Sequence, residues 1–281
     1  MNNVLDRNND YIKRISKLCL FDDDFMNIVF QNDKCVKLLL DIILDTDIRI
    51  SDINIQHQLD NIKGRTVIMD MYIVDEKGRY INVEIQRDDR QAIAKRAGYH
   101  ESLLKTNITS KQTKWKDISE TYVIFITEND VLLGGLPIYH IERVIQENGE
   151  RFEDGAHIIY VNGRNEEDTR LGRLMHDMRC TEVKDMYYEE LREEARYYKE
   201  DEGGIEKMCK LFDEVEQRGI ETGKREGILL GQQIGEQKGI EMTRIASIQN
   251  LMKSMNWSIE EAMNALMIPL EEQEHFIHFI H

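Results

Sequence analysis

Asp70, Glu84 and Gln86 are the residues of this chain whose types and spacing are best suited to chemistry. They interrupt two short runs of β-forming residues, Thr66 to Val74 and Arg79 to Gln86. The link between the runs, Asp75-Glu76-Lys77-Gly78, is a hairpin signal. A three-residue loop with Gly78 in the left-handed region pairs Asp75 with Arg79. In that register Asp70 lies across from Glu84, the two side chains leaving one face roughly 5 Å apart. Two facing carboxylates repel, and a divalent metal is the economical way to fill the gap. A two-residue turn would instead slip the register by one and send the acids to opposite faces. Gln86, two residues beyond Glu84, shares its face. Its amide can orient a water or a phosphate oxygen, but it is no base and carries no positive charge.

Such a site suits phosphodiester hydrolysis, which needs a polarised phosphate, an activated water and a stabilised leaving group. Asp70 and Glu84 are the candidate metal ligands, with the backbone carbonyl of Ile85 and waters completing an oxygen shell. The competing reading makes Asp70, Asn82, Glu84 and Gln86 the wet face of a sheet. Tyr72 and Val74, which share the face of Asp70 in an alternating strand, sit uneasily with full solvation. Spacing leaves both readings open.

The elements that must position these residues follow from periodicity. Residues 11 to 45 read as helical, with Asp22 to Asp24 at an acidic helix start and a break at Asn32-Asp33. Alternation over Ile53 to Leu59 suggests a first strand, and the hairpin follows. Asp88 to Asn107 reads as a helix with an apolar face around Ile93, Ala97 and Leu104. Tyr122 to Thr127 is a continuous apolar run, as in a strand buried on both faces. Gly134-Gly135 turns into Pro137 to Ile141, and Ala156 to Val161 is one more strand. The result is a mixed α/β domain ending near residue 175. Residues 176–240 form a charged helical segment in which glycine recurs every fourth residue from Gly219 to Gly239. Glycine costs roughly 1 kcal/mol against alanine inside a helix, so this is either a helix approached closely by another or a polar linker. Residues 241–281 read as a small helical segment, with a capping box at Ser258 to Glu261 and Pro269 opening the last helix.

Composition narrows the class. The 281 residues carry a formal charge of −16 and four cysteines, Cys19, Cys35, Cys180 and Cys209, none in a CxxC spacing. Zinc and disulfide frameworks are therefore weakly supported. The first ten residues have no apolar signal core and no run reaches membrane-spanning length, so a cytoplasmic protein with no membrane partner is expected. The acidic total argues against a general nucleic-acid binder. Lys63 to Lys116 nevertheless holds twelve Lys/Arg against seven Asp/Glu, and this basic stretch encloses the candidate acids. Trp115 with Lys111, Lys114 and Lys116 reads either as a stacking-plus-phosphate loop or as an exposed loop pinned by one aromatic. His57 and His140, each beside aliphatics without a ligand-spaced partner, read as structural histidines.

The order Asp70, Glu84-Ile85-Gln86 on a hairpin resembles the PD-(D/E)xK nuclease core. The flanking stretches resemble the subgroup named for transposases or recombination-promoting nucleases (Rpn-like). These stretches are Asp24 to Phe30, Tyr80 to Gln86, Lys95 to Tyr99, Tyr122 to Ile126 and Gly135 to Tyr139, together spanning roughly residues 20 to 165. The resemblance implies a restriction-endonuclease-like α/β fold, a mixed sheet flanked by helices and followed by a helical C-terminal tail. It implies a Mg2+-dependent DNA endonuclease, Mn2+ substituting, with a mobile-element or recombination setting. Asp70 and Glu84 match the metal-binding acids. Gln86 stands where the wider superfamily usually has lysine, a departure that touches proton transfer more than metal binding. Asp24 matches a further acid from the first helix, or serves only as an N-terminal helix acid. Lys95, Arg96 and Tyr99 match the helix after the sheet that meets the DNA, or are ordinary helix surface. The rival from another class is a nuclease-fold protein without turnover, acting as an interaction module that self-associates through the C-terminal helices.

Overall fold

The computed structural model describes residues 10–61, 64–87 and 89–280. The N-terminal signal reading, Lys63 and Asp88 therefore concern residues outside these. A six-stranded mixed sheet runs in the order β1-β2-β3-β4-β6-β5. The strands are β1 (Ile50–Leu59), β2 (Val67–Asp75), β3 (Tyr80–Gln86), β4 (Thr121–Thr127), β5 (Ile138–Ile141) and β6 (Ala156–Asn162). β1, β2 and β3 are antiparallel neighbours; β3, β4 and β6 run parallel; β5 closes the far edge antiparallel to β6. The central position of β4 explains its unbroken apolar sequence, for Val123 to Ile126 have no exposure to water.

Helices cover both faces. On one side lie α1 (Asp23–Val29), α2 (Asp33–Ile43), α4 (Arg170–Arg179), α5 (Glu189–Glu200) and the start of α6 (Glu202–Met255). Their apolar residues join Met71, Ile73, Val83, Ile85 and Ile124 in one large core. On the other side α3 (Ala94–Ile108) covers Met69, Val123, Phe125 and Tyr160. Asn32 separates α1 from α2 as expected, its side chain accepting from the Lys34 N–H at the start of α2.

The β2–β3 turn sets everything downstream. Gly78 has φ +74° and Met71 pairs with Val83, Tyr72 with Asn82 and Val74 with Tyr80. Buried Asp75 fastens the turn: its Oδ1 accepts from the Lys77 and Arg79 N–H groups at 3.0 and 2.8 Å, and its Oδ2 from Arg79 Nε at 2.7 Å. One step beyond Met71 and Val83, this register brings Asp70 against Glu84.

Three local expectations change. The helix after the sheet begins at Ala94, after a short 3-10 turn at Asp89–Gln91, so Ile93 is its half-exposed N-cap and not part of its buried face. The six glycines lie within one continuous helix, α6, which also absorbs the start of the segment expected over residues 241–281. No heavy atom lies within 4 Å of where a Cβ would stand on any of these six, so among the described residues nothing exploits the room they leave. His140 is exposed on the edge strand, whereas His57 stacks on Tyr72 with ring centroids 4.4 Å apart.

By internal contacts the chain forms two compact units, Met1–Phe212 and Asp213–His281. The second contains α7 (Ile259–Ala265), with the Ser258/Glu261 capping box formed, and α8 (Leu270–Ile280), around Ile248, Ala262, Met263 and Phe276. Among the described residues no helix is long and apolar enough to cross a membrane.

Replacing Asp75 by Ala would leave the Arg79 guanidinium and two backbone N–H groups without their shared acceptor. The expected loss is about 3 kcal/mol of unfolding free energy, measured by urea denaturation. Gly78→Ala, which only strains the left-handed φ, should cost about 1 kcal/mol.

Candidate active site

Glu84 is buried to zero exposure, which a carboxylate tolerates only with strong partners. Arg96, in the first turn of α3, supplies the principal one: its Nη2 donates to Glu84 Oε2 at 2.9 Å. The same guanidinium donates from Nη1 to Gln86 Oε1 at 3.3 Å and to the Gln91 carbonyl at 3.0 Å. It also lies over the Phe125 ring, 5.7 Å from its centroid. A planar fork of five donors can serve these acceptors at once, which a lysine cannot. Arg96 thus ties Glu84 and Gln86 of β3 to α3.

His100 follows Arg96 by one helical turn and is almost fully buried. Its Nε2 accepts from Arg96 Nε at 3.2 Å. Nδ1 faces Glu84 Oε1 at 3.4 Å and the amide of buried Asn82 at 3.2 Å. Glu84 Oε1 itself is buried without a hydrogen-bond partner. His100 escaped the sequence reading, which named Asn82 only as part of a wet sheet face. The only signal for His100 was its i+4 spacing from Arg96, which puts both on one helix face.

Asp70 sits where the sheet's regularity breaks. Opposite it on β1, Gln56 has φ +54°, and around this kink Met69 faces the α3 core while Met71 faces the other. Simple alternation, which put Tyr72 and Val74 on the face of Asp70, therefore fails at this residue. Asp70 Oδ2 accepts from the Ile85 N–H at 2.9 Å, replacing a ladder partner, and Oδ1 is 3.4 Å from Gln56 Nε2. Burial pushes the Asp70 carboxyl up to about 7; the Glu84 charge adds to this, and the Ile85 N–H works against it. The acid pair therefore carries more negative charge than its protein surroundings neutralise.

Asp70, the Ile85 backbone region and Gln86 open onto a cleft of about 800 Å3, shared with Asp22, Asp23 and Asp24 from the start of α1. Asp24 is thus near the acid pair and also in the first turn of α1. Burial and the neighbouring Asp24 and Asp22 raise the Asp23 carboxyl. Lys95, Arg96 and Tyr99 line a second cleft of about 410 Å3, with Arg65. Tyr99 also braces the fold, since its hydroxyl donates to the Arg65 carbonyl and accepts from Asn61 Nδ2. Trp115 is apart from these groups, 88 % exposed on a 3-10 turn at Trp115–Asp117, and lines neither cleft.

The donor set fits a hard divalent cation in chemistry, though sparsely. Among the described residues no cluster of three or more His, Cys, Asp or Glu side chains is placed to hold a metal. Two acids are present, one with an unpartnered buried oxygen and one whose carboxyl is pushed up to about 7, by burial first and then by the Glu84 charge. Carbonyl and water oxygens would have to supply the rest of the shell.

A folded-state acid raised to about 7 holds its proton over a range where the unfolded carboxyl, near 4, has lost it. Its contribution is thus full below about pH 4 and is lost as the pH rises through about 7. In EDTA, the melting temperature should fall between pH 5 and 8. Asp70→Asn should flatten that fall and raise the value at pH 8 by a few degrees, as scanning calorimetry would show.

A family model described as PD-(D/E)XK nuclease family transposase matches residues 28–217 of this chain. No curated protein and no solved structure matches it.

Proposed function

The chain belongs to the PD-(D/E)XK nuclease family transposases, and from that premise we propose that it is a metal-dependent DNA endonuclease hydrolysing phosphodiester bonds. The observation that carries the reading is the Asp70–Glu84 pair: a fully buried and a half-buried carboxylate on adjacent strands, one with an unpartnered oxygen and one whose carboxyl is pushed up to about 7. Asp70, Glu84 and the Ile85 carbonyl would hold Mg2+, for which Mn2+ would substitute. A bound divalent ion polarises the phosphate and lowers the pKa of water, the two needs of the reaction.

The remaining roles fall to this chain's own side chains. Glu84 is held and oriented by Arg96, with His100 behind both. Gln86, fixed through its Oε1 to Arg96, presents its amide nitrogen as a donor for a water or a phosphate oxygen. Because an amide neither takes nor gives a proton at neutral pH, proton removal from the attacking water falls to a carboxylate or to solvent. Asp24 adds negative charge at the cleft wall, suited to a second-sphere water. The family name suggests a mobile-element or recombination setting, in which cleavage, and not strand transfer, is the step these residues support. Homo-oligomerisation through α6 would bring two such sites together.

Gln86 in place of a cation, and no cluster of three or more metal-ligating side chains among the described residues, favour the second reading: a nuclease-fold interaction module without turnover. Incubating supercoiled plasmid with the purified protein in Mg2+, Mn2+ or EDTA separates the two. Nicking in either metal, absent in EDTA and reduced more than about 100-fold by Asp70→Ala or Glu84→Ala, is the expected result. Cleavage that survives both substitutions would refute the site, and none in either metal would favour the module.

A further inference from the structure

The acid cleft is not isolated. On one side it shares the Arg90–Gln91 turn with the cleft of Arg65, Lys95 and Arg96. On the other it shares Arg14, Asp22 and Arg87 with a third cleft of about 420 Å3, into which Lys17 and Arg179 also project. The three therefore form a contiguous depression that is basic, then acidic, then basic. Its two ends come from distant parts of the chain: the β1–β2 connection and α3 at one, the segment before α1 and the end of α4 at the other.

Charge makes this arrangement informative. The protein as a whole is strongly acidic, so its long-range field repels polyanions. Among the described residues the first basic cleft has four cationic lining residues and no acidic one, and the third has four against two acids. Arg65, Lys95 and Lys17 are exposed and form no ion pair among the described residues, so desolvating an existing partner is not a cost of using them. Exposed Ile93 in the first cleft adds apolar wall beside the charges. Arg14 is steadied by lying over the Phe212 ring, 4.7 Å from its centroid, which holds a flexible cation in place.

We propose that these clefts are one track for a DNA strand. The phosphates on one side of the scissile bond meet Arg65 and Lys95, those on the other meet Lys17, Arg14 and Arg179, and the scissile phosphate crosses the Asp70–Glu84 cleft between them. This deepens the nuclease reading and rests on it for the position of the scissile bond. Lys17, Arg14 and Arg179 are phosphate-positioning residues and read no base, so binding is salt-sensitive and tolerant of sequence.

Binding tests the track without turnover. Fluorescence anisotropy in EDTA would use a labelled DNA oligonucleotide as a single strand and as a duplex, the tighter form serving as probe across a salt series. Arg65→Glu/Lys95→Glu and Lys17→Glu/Arg179→Glu should each weaken binding at least about tenfold and lower the salt slope by about two. Lys111→Glu/Lys116→Glu, beside Trp115 and outside all three clefts, should stay within about twofold of wild type. No measurable binding of either DNA form at low salt, or a loss confined to one of the two pairs, would overturn the track; so would an equal loss in the Lys111/Lys116 control. Thermal melts at the wild-type temperature exclude misfolding for these exposed positions. Track-dependent binding without plasmid cleavage would sink the nuclease reading alone, and cleavage with binding indifferent to both pairs would sink the track alone.

Discussion

A carboxylate removed entirely from water, as Glu84 is, costs several kcal/mol unless its charge is answered in place. Arg96 gives that answer, and much of the site's geometry follows from it. The guanidinium reaches β3 from the first turn of α3, which starts at Ala94 and packs over β4. Its remaining donors hold Gln86 and the Gln91 carbonyl, which fixes the 3-10 turn that separates the acid cleft from its basic neighbour. One positive charge beside these two acids leaves a deficit, and the Asp70 carboxyl is pushed up to about 7 by burial and then by the Glu84 charge. A divalent cation would remove the deficit.

The sheet supplies the second constraint. The parallel core β3–β4–β6 is buried on both faces and rigid, whereas the antiparallel β1–β2–β3 edge is kinked at Gln56 opposite Asp70. Function-bearing polar groups occur where the ladder fails: the Ile85 N–H turns to Asp70. The regular part provides an anchor and the irregular part provides unpaired polar groups, a division common at sites built on rigid elements.

The legible features were those governed by local rules. A loop ending in Gly78 dictated the β2–β3 register, and an unbroken apolar run marked β4 as central. Ser258 and Glu261 announced α7 through their reciprocal caps. Features depending on tertiary context were not legible. Gln56 gives no hint in sequence that it adopts a left-handed φ, so simple alternation misses the slip at Asp70. Ile93 looks like a helix-face residue but precedes the helix. The glycines of α6 left a closely approached helix and a linker both open; no proline interrupts Glu202–Met255, and the intervening Glu, Lys, Gln and Leu favour helix enough to carry them. Within the site, His100 was marked only by spacing from Arg96, and the approach of residues 14–17 to Arg179 needed the whole fold.

Isothermal titration of Mn2+ into the metal-free protein at pH 7.5 bears most directly on the charge deficit at Asp70 and Glu84. Saturable binding with proton release in the wild type, abolished in Asp70→Ala with the circular dichroism spectrum unchanged, is the predicted result. Equal binding by the two proteins, or none by a folded wild type, would contradict it.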